Sequence, residues 1–251
     1  MNKPKIVIPS KGRADRITTT KAINNAILCV CESQADLYRE HNPNTEIVVH
    51  PDEVEQISYP AKLQWILDYF GDVFYLDDDV TYMVRHWVEV REPVKVTPEK
   101  AEQYVYAAHE MATAIGAYYW GFNTNKDPRT YFGHKPFRLT GMCWGNGTGI
   151  RGNAPGCKLF WNTSLKTNED YWIALLNAHY HRYAFFDDRF KFNTTEPFRN
   201  PGGAALYRTV DLERQAYEQL RNHFGEAIGL KKDTAIAKRK HEWQPALRIP
   251  F

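Results

Sequence analysis

Short runs of β-forming residues alternate with amphipathic stretches through the first third of the chain. Lys5–Ile8 reads as a strand that Pro9 ends, and Ala26–Val30, Glu46–His50 and Val73–Leu76 are three more of the same kind. Between the first two, Ser10–Arg16 forms a turn entering a helix. Ser33 and Asp36 stand at capping-box spacing and open a helix to about His41, which Asn42-Pro43-Asn44 breaks. From Pro60, the residues Leu63, Ile66, Leu67 and Phe70 fall at i, i+3, i+4 and i+7 until Gly71 stops the helix, so this stripe lies on a sheet. Strands and helices alternating at this interval predict an α/β domain with a mainly parallel sheet and ligands in the crevice at the strands' carboxyl ends.

The second half is less regular. Thr97-Pro98-Glu99 starts a helix with Ala101, Tyr104, Val105, Ala108, Met111, Ala112 and Ile115 on one face. Thr167 and Asp170 repeat the capping-box spacing ahead of a helix that buries Ile173, Leu175 and Leu176. Tyr183–Phe192 reads as one strand, with Asp187 and Asp188 midway marking a bulge or edge. Asp211–Phe224 is a last long helix ended by Gly225. Gly147-x-Gly149-x-x-Gly152 matches the dinucleotide-binding pattern, but Asn153-Ala154-Pro155-Gly156 prevents the helix that must receive the pyrophosphate. That segment is either a wall of a ligand site or a structural loop.

Composition adds bounds. With 251 residues, 43% hydrophobic and 25% charged, the chain is an ordinary globular protein with no apolar run long enough to span a bilayer. Its N-terminus enters a strand without a signal-peptide segment, which sets the expectation of a cytoplasmic protein without membrane contact. Cys29 and Cys31 read as core filler, and Cys143 and Cys157 lack metal-site spacing. In the cytoplasm the Asn-x-Ser/Thr triplets at Asn146, Asn162 and Asn193 are chance matches. A net charge of +2 does not announce a nucleic-acid binder. The tail, however, gathers Lys231, Lys232, Lys238, Arg239, Lys240 and Arg248 around His241 and Trp243, which reads either as a solvated tail or as a phosphate-tracking segment with a stacking ring.

The candidate chemistry centres on Asp77, Asp78 and Asp79, where the apolar run Val73–Leu76 stops. Three like charges at a strand end repel one another unless they share a cation, and hard oxygen ligands suit Mg2+ or Mn2+. Period-two geometry sends Asp77 and Asp79 to one face and Asp78 to the other, so the metal pair is Asp77 and Asp79; the alternative is a solvated turn. Pro9, Ser10, Lys11 and Arg13 form a basic loop at the first strand's end, His50 and Asp52 stand at the third's, and Lys62 sits in a helix's first turn, where a cation suits a bound anion.

Ile6-Val-Ile-Pro-Ser-Lys-Gly-Arg13, Val48-Val-His-Pro-Asp52, Lys62-Leu-Gln-Trp-Ile-Leu67 and Phe74-Tyr-Leu-Asp-Asp-Asp79 together resemble GT-A glycosyltransferases. More narrowly, they resemble the phage TET/JBP-associated glycosyltransferases, which are thought to add sugars to hydroxymethylated pyrimidines in DNA. The resemblance implies a GT-A-like, Rossmann-type, mainly parallel sheet. Residues 1–92 would form the nucleotide-sugar half and residues 93–251 an elaborated acceptor-side half of the same catalytic domain. It further implies a UDP-sugar donor bound by Pro9, Ser10, Lys11, Arg13, His50, Asp52, Lys62, Asp77 and Asp78, with Asp77 facing the ribose and Asp79 holding Mn2+ or Mg2+ on the diphosphate. Glu169 and Asp170 are similar to the acidic pair such enzymes place at a helix start beside the acceptor hydroxyl, with Asp170 preferred as base over Glu169. The implied acceptor is DNA carrying 5-hydroxymethylcytosine, met by Trp144, Lys238, Arg239, Lys240 and Trp243, in a host cytoplasm if the source is viral. A glycosyltransferase acting on polysaccharide or protein, a metal-dependent nucleotidyltransferase or nuclease, and a non-catalytic binding module are the competing readings.

Overall fold

The computed structural model describes residues 3–86, 94–125, 127, 131–143, 146–194, 208–234 and 238–249. The first third builds β1 (Lys5–Pro9), β2 (Ala26–Cys31), α1 (Ala35–His41), β3 (Glu46–His50), α2 (Asp52–Ile57), α3 (Tyr59–Phe70) and β4 (Asp72–Tyr75). Then come β5 (Val80–Arg85), β6 (Val94–Val96), α4 (Pro98–Ala114), β7 (Tyr119–Phe122), β8 (Phe137–Arg138) and β9 (Thr148–Arg151). The chain continues through α5 (Glu169–Tyr180), β10 (Phe185–Asp187), β11 (Phe190–Thr194), α6 (Val210–Phe224), β12 (Ile228–Leu230) and β13 (Pro245–Leu247).

Eight strands form one sheet in the order β3-β2-β1-β4-β9-β7-β10-β8. β1, β2, β3 and β4 pair in parallel, as do β7 and β10, whereas β9 lies antiparallel between β4 and β7. Both faces of this sheet are covered. Ile6, Ile8, Phe74 and Leu76 join Ala101, Val105, Ala108 and Ala112 of α4 in one core, while Val7, Val73 and Tyr75 join Leu63, Ile66 and Leu67 of α3 in the other. Strands buried on both sides read as unbroken apolar runs, which is why β1, β2 and β4 stood out in the sequence, whereas β3 is a half-buried edge strand. Each of Leu63, Ile66 and Leu67, all buried, contributes about 1.5–3 kcal/mol of transfer free energy toward holding α3 on the sheet.

Part of the glycine-rich segment, Thr148–Arg151, is strand β9, and its packing explains Gly149. A Cβ on Gly149 would lie 2.1 Å from the indole of Trp120 on the neighbouring β7, and Trp120 is fully buried and stacked on Phe74 at 5.0 Å between centroids. Gly149→Ala is therefore expected to cost about 3 kcal/mol or more, since the ring has nowhere to move. For a chain of this size that lowers the melting temperature by roughly 6–12 °C. An unchanged melt would contradict the close approach of β9 and β7.

Three local expectations need correction. Gln34, not Ser33, stands at the N-cap of α1 and makes no side-chain cap; the Ser33 hydroxyl instead donates to Asp52 at 2.9 Å. Met111 and Ile115 are exposed at 44% and 38%, and the buried face of α4 takes His109 in their place. The single strand expected over Tyr183–Phe192 is two, β10 in the large sheet and β11 against β5 in a three-stranded sheet. Asp187 ends β10 and Asp188 lies in the turn that follows, and they pair with Arg189 and Arg138.

Candidate active site

β4 carries the acidic turn to the sheet's carboxyl edge. The amide of Leu76 still donates to Val7 at 3.0 Å, after which the backbone leaves the sheet and is fixed from the side by Thr18 and Thr19. The buried Thr19 hydroxyl donates to the Asp77 carbonyl at 2.6 Å and accepts from the Val80 amide at 2.9 Å, while the Thr18 amide donates to the Asp78 carbonyl at 3.1 Å. Sequence reasoning passed over both threonines, because nothing local distinguishes a hydroxyl whose partner is 58 residues away.

Asp78 turns inward and is buried. It accepts from Ser10 at 2.6 Å and pairs with the Arg13 guanidinium at 2.7 Å, and the Ser10 hydroxyl also meets the Tyr38 phenol at 2.7 Å. Arg13 therefore neutralises Asp78, which ties the β1 loop to the acidic turn. Asp77 and Asp79 keep accessible surface. Burial pushes the Asp77 carboxyl up to about 8, and the charges of Asp79, Asp78 and Glu169 push it the same way. The nearby Arg13 charge pulls the other way without outweighing them.

The basic loop rests on a buried ion network. Lys62 is 1% exposed, and its ammonium donates to the Ser10 carbonyl at 3.1 Å and to Glu55 at 2.6 Å. Lys11 and the buried His50 each approach Glu55 at 3.5 Å. Against the upward push of burial, the approach of His50 and the charges of Lys62 and Lys11 hold the Glu55 carboxyl down to about 2. Lys62 thus fixes the loop from below; its charge goes to Glu55. Asp52 likewise accepts from the Ser33 amide and hydroxyl at 3.1 and 2.9 Å, joining the ends of β2 and β3. Pro9 closes β1 just ahead of Ser10. Glu55 was missed in the sequence because α2 carries no periodic stripe to mark it.

On the other side, α5 starts at Glu169. The capping box expected from Thr167 and Asp170 does not form: Asn168 is the N-cap, in a left-handed conformation at φ 64° without a side-chain cap. The Thr167 hydroxyl and Asn168 amide donate instead to the buried Glu213 of α6, at 3.2 and 2.9 Å. Glu213 also takes the Arg208 guanidinium, with His241 at 3.9 Å. These partners outweigh burial and hold the Glu213 carboxyl low. Glu169 lies the other way: burial, with the neighbouring Glu213 charge, raises its proton affinity against the pull of Arg208.

Tyr59, in the first turn of α3, shares a cavity with Glu169 and Asp170 and lies within electrostatic reach of the acidic turn. Burial raises its phenol well above the ordinary value, and the charges of Asp77, Glu169, Asp170 and Asp78 all add to that shift. Beside it opens a cavity of about 500 Å3, bounded by Tyr59, the start of α5, and the C-terminal residues Arg208, Lys240, His241 and Gln244. Lys240 thus reaches the site, while Lys238 and Arg239 lie exposed beyond it. The Trp243 indole donates to Glu242 at 3.0 Å with its ring 6.0 Å from Tyr217. Trp144 lies outside the described residues.

Among the described residues no group of three His, Cys, Asp or Glu side chains is placed to hold a metal ion. Asp77 and Asp79 nonetheless fit Mg2+ or Mn2+ in the manner those ions favour with nucleotides, in which one or two carboxylates are completed by phosphate oxygens. Among the described residues no helix is long and apolar enough to cross a membrane.

The fold is a GT-A-like α/β fold, and the family match makes the protein a glycosyltransferase. The sequence model of the TET-associated glycosyltransferases matches residues 4–203, and the chain belongs to that family. Among solved structures, Staphylococcus aureus TarS 1-349 superposes with a TM-score of 0.50 over 90% of this chain and 73% of its own, at 11% identity. A second S. aureus TarS structure gives 0.49 over 90% and 44%, at 12% identity. At such identity the likeness concerns the fold. No curated protein matches the sequence.

Proposed function

We propose that the enzyme moves a sugar from a UDP-sugar to the hydroxymethyl group of a pyrimidine in DNA, with 5-hydroxymethylcytosine as the expected base. The observation that carries the reading is that two acidic groups come within electrostatic reach of Tyr59: Asp77 and its neighbours beyond β4, and Glu169 and Asp170 at the start of α5. One side suits a diphosphate leaving group, the other an acceptor hydroxyl. Asp77 and Asp79 would hold Mn2+ or Mg2+, which supplies charge neutralisation to a departing diphosphate. The acceptor oxygen attacks the anomeric carbon, and the sugar–phosphate bond breaks with its electron pair leaving on the nucleoside diphosphate. Asp170 takes the hydroxyl proton if the carbon inverts, and only orients the hydroxyl if it is retained. The family's name, Lys240 at the cavity and the exposed Lys238 and Arg239 beyond it support DNA as acceptor.

Release of UDP from a UDP-sugar should accordingly rise on adding hydroxymethylated DNA, stay at background with unmodified DNA, and vanish with EDTA. UDP release of equal size with both DNAs would count against the hydroxymethyl acceptor. Three phosphate contacts by the tail predict that affinity for DNA falls about fortyfold over a roughly fourfold rise in salt. A salt-independent affinity would remove the tail from the DNA interface.

A further inference from the structure

The cavity beside Asp170 is too small for a duplex and large enough for one nucleotide. Its volume is about 500 Å3, within the roughly 300–1,000 Å3 that encloses small ligands and far below the space a double helix about 20 Å wide would need. Tyr59 and Tyr171 form part of its wall, and the Tyr171 phenol is fixed by donation to the Pro245 carbonyl at 3.1 Å. Exposed Lys166 and Lys240 stand at the rim. His241 lines the cavity as well, and among the described residues its buried Nδ1 has no hydrogen-bond partner. Eight of the fifteen lining residues, from Arg208 to Pro245, follow the stretch that matches the family, so this chain's own C-terminal segment makes the outer wall.

We propose that this cavity is a pocket for a single pyrimidine nucleotide swung out of the DNA stack, walled by Tyr59 and Tyr171, with its flanking phosphates at Lys166 and Lys240 and its base edge against the His241 side of the wall. The inference rests on the DNA reading above and narrows it: the target base enters the protein, instead of the protein reaching into the major groove. A hydroxymethyl group in the groove of an intact duplex would have to meet Asp170 from outside the cavity that Asp170 lines. Extrusion brings the hydroxyl in at the cost of breaking one pair and its stacking.

That cost makes the inference testable. Oligonucleotides carrying one 5-hydroxymethylcytosine are compared when it is paired with guanine, set opposite an abasic site, or in a single strand. Extrusion predicts that kcat/KM rises about tenfold or more once the pairing is removed, since unpairing is then already done. His241→Phe, which keeps a ring but removes the nitrogen, should raise the KM for the single-stranded acceptor at least about fivefold. Equal kcat/KM within about twofold in all three contexts, with transfer robust, would overturn the extrusion pocket and leave the DNA reading standing. An unchanged acceptor KM in His241→Phe would overturn the placement of the base. Failure to glycosylate any of the three, alongside transfer to a polysaccharide or protein, would overturn the DNA reading and this inference with it.

Discussion

Asp79→Asn should lower sugar transfer about a thousandfold or more and leave the fold intact. The large effect follows from position: Asp79 keeps accessible surface at the end of β4, beside an Asp77 carboxyl already pushed up to about 8 by burial and by the Asp79 charge itself. Removing one carboxylate halves the negative charge that this pair offers a divalent cation. Stability should hold, because the substitution removes no core volume and such surface changes stay within about 0.5 kcal/mol. It also relieves repulsion on Asp77, so the melting temperature should stay level or rise slightly. Near-normal activity of the purified variant in limiting Mn2+ would rule out the metal role of this pair.

Asp170→Asn should cut turnover about a hundred- to ten-thousandfold while donor binding stays close to normal. A base acts on the acceptor proton in the transition state, so its loss appears in kcat and not in the affinity for UDP-sugar. The structure removes the simplest rival explanation. Thr167 spends its hydroxyl on Glu213 and Asn168 is the N-cap, so Asp170 is no partner in a capping box and its service to the helix dipole amounts to about 0.3–1 kcal/mol. Lost donor affinity at unchanged turnover would refute the base role. A larger fall in Glu169→Gln than in Asp170→Asn would exchange the roles of the two, a result for which the raised proton affinity of Glu169 provides a ready cause.

The parts legible in the sequence are those whose meaning is local. β1, β2 and β4 announced themselves because strands covered on both faces must be apolar throughout, and Asp78 is indeed buried apart from the more open Asp77 and Asp79, though by a turn beyond β4 and not by strand period. The α3 stripe was equally plain, since Leu63, Ile66 and Leu67 do lie on the sheet. What escaped is long-range. Glu55 gathers Lys62, Lys11 and His50, Thr19 fixes the acidic turn, and Glu213 holds the start of α5; each acquires its role only when folding brings its partners to it. Both capping boxes were misread for the same reason. Ser33 and Thr167 have the spacing, but Asp52 and Glu213 reach their hydroxyls from other elements. The split of Tyr183–Phe192 into β10 and β11 was hidden too, as the ion pairs Asp187–Arg189 and Asp188–Arg138 shape the turn and the second requires β8 alongside.

The central claim is that the acceptor hydroxyl belongs to a hydroxymethylated pyrimidine of DNA. It is tested most directly by incubating the enzyme with Mn2+, a mixture of UDP-sugars, and duplex DNA with or without 5-hydroxymethylcytosine, then digesting to nucleosides for mass spectrometry. The account predicts that 5-hydroxymethyl-2′-deoxycytidine alone gains the mass of one sugar residue, that unmodified DNA gains none, and that the Asp79→Asn enzyme produces no adduct. Hydroxymethylated DNA left unchanged, while the same preparation glycosylates a polysaccharide or a protein, would contradict it.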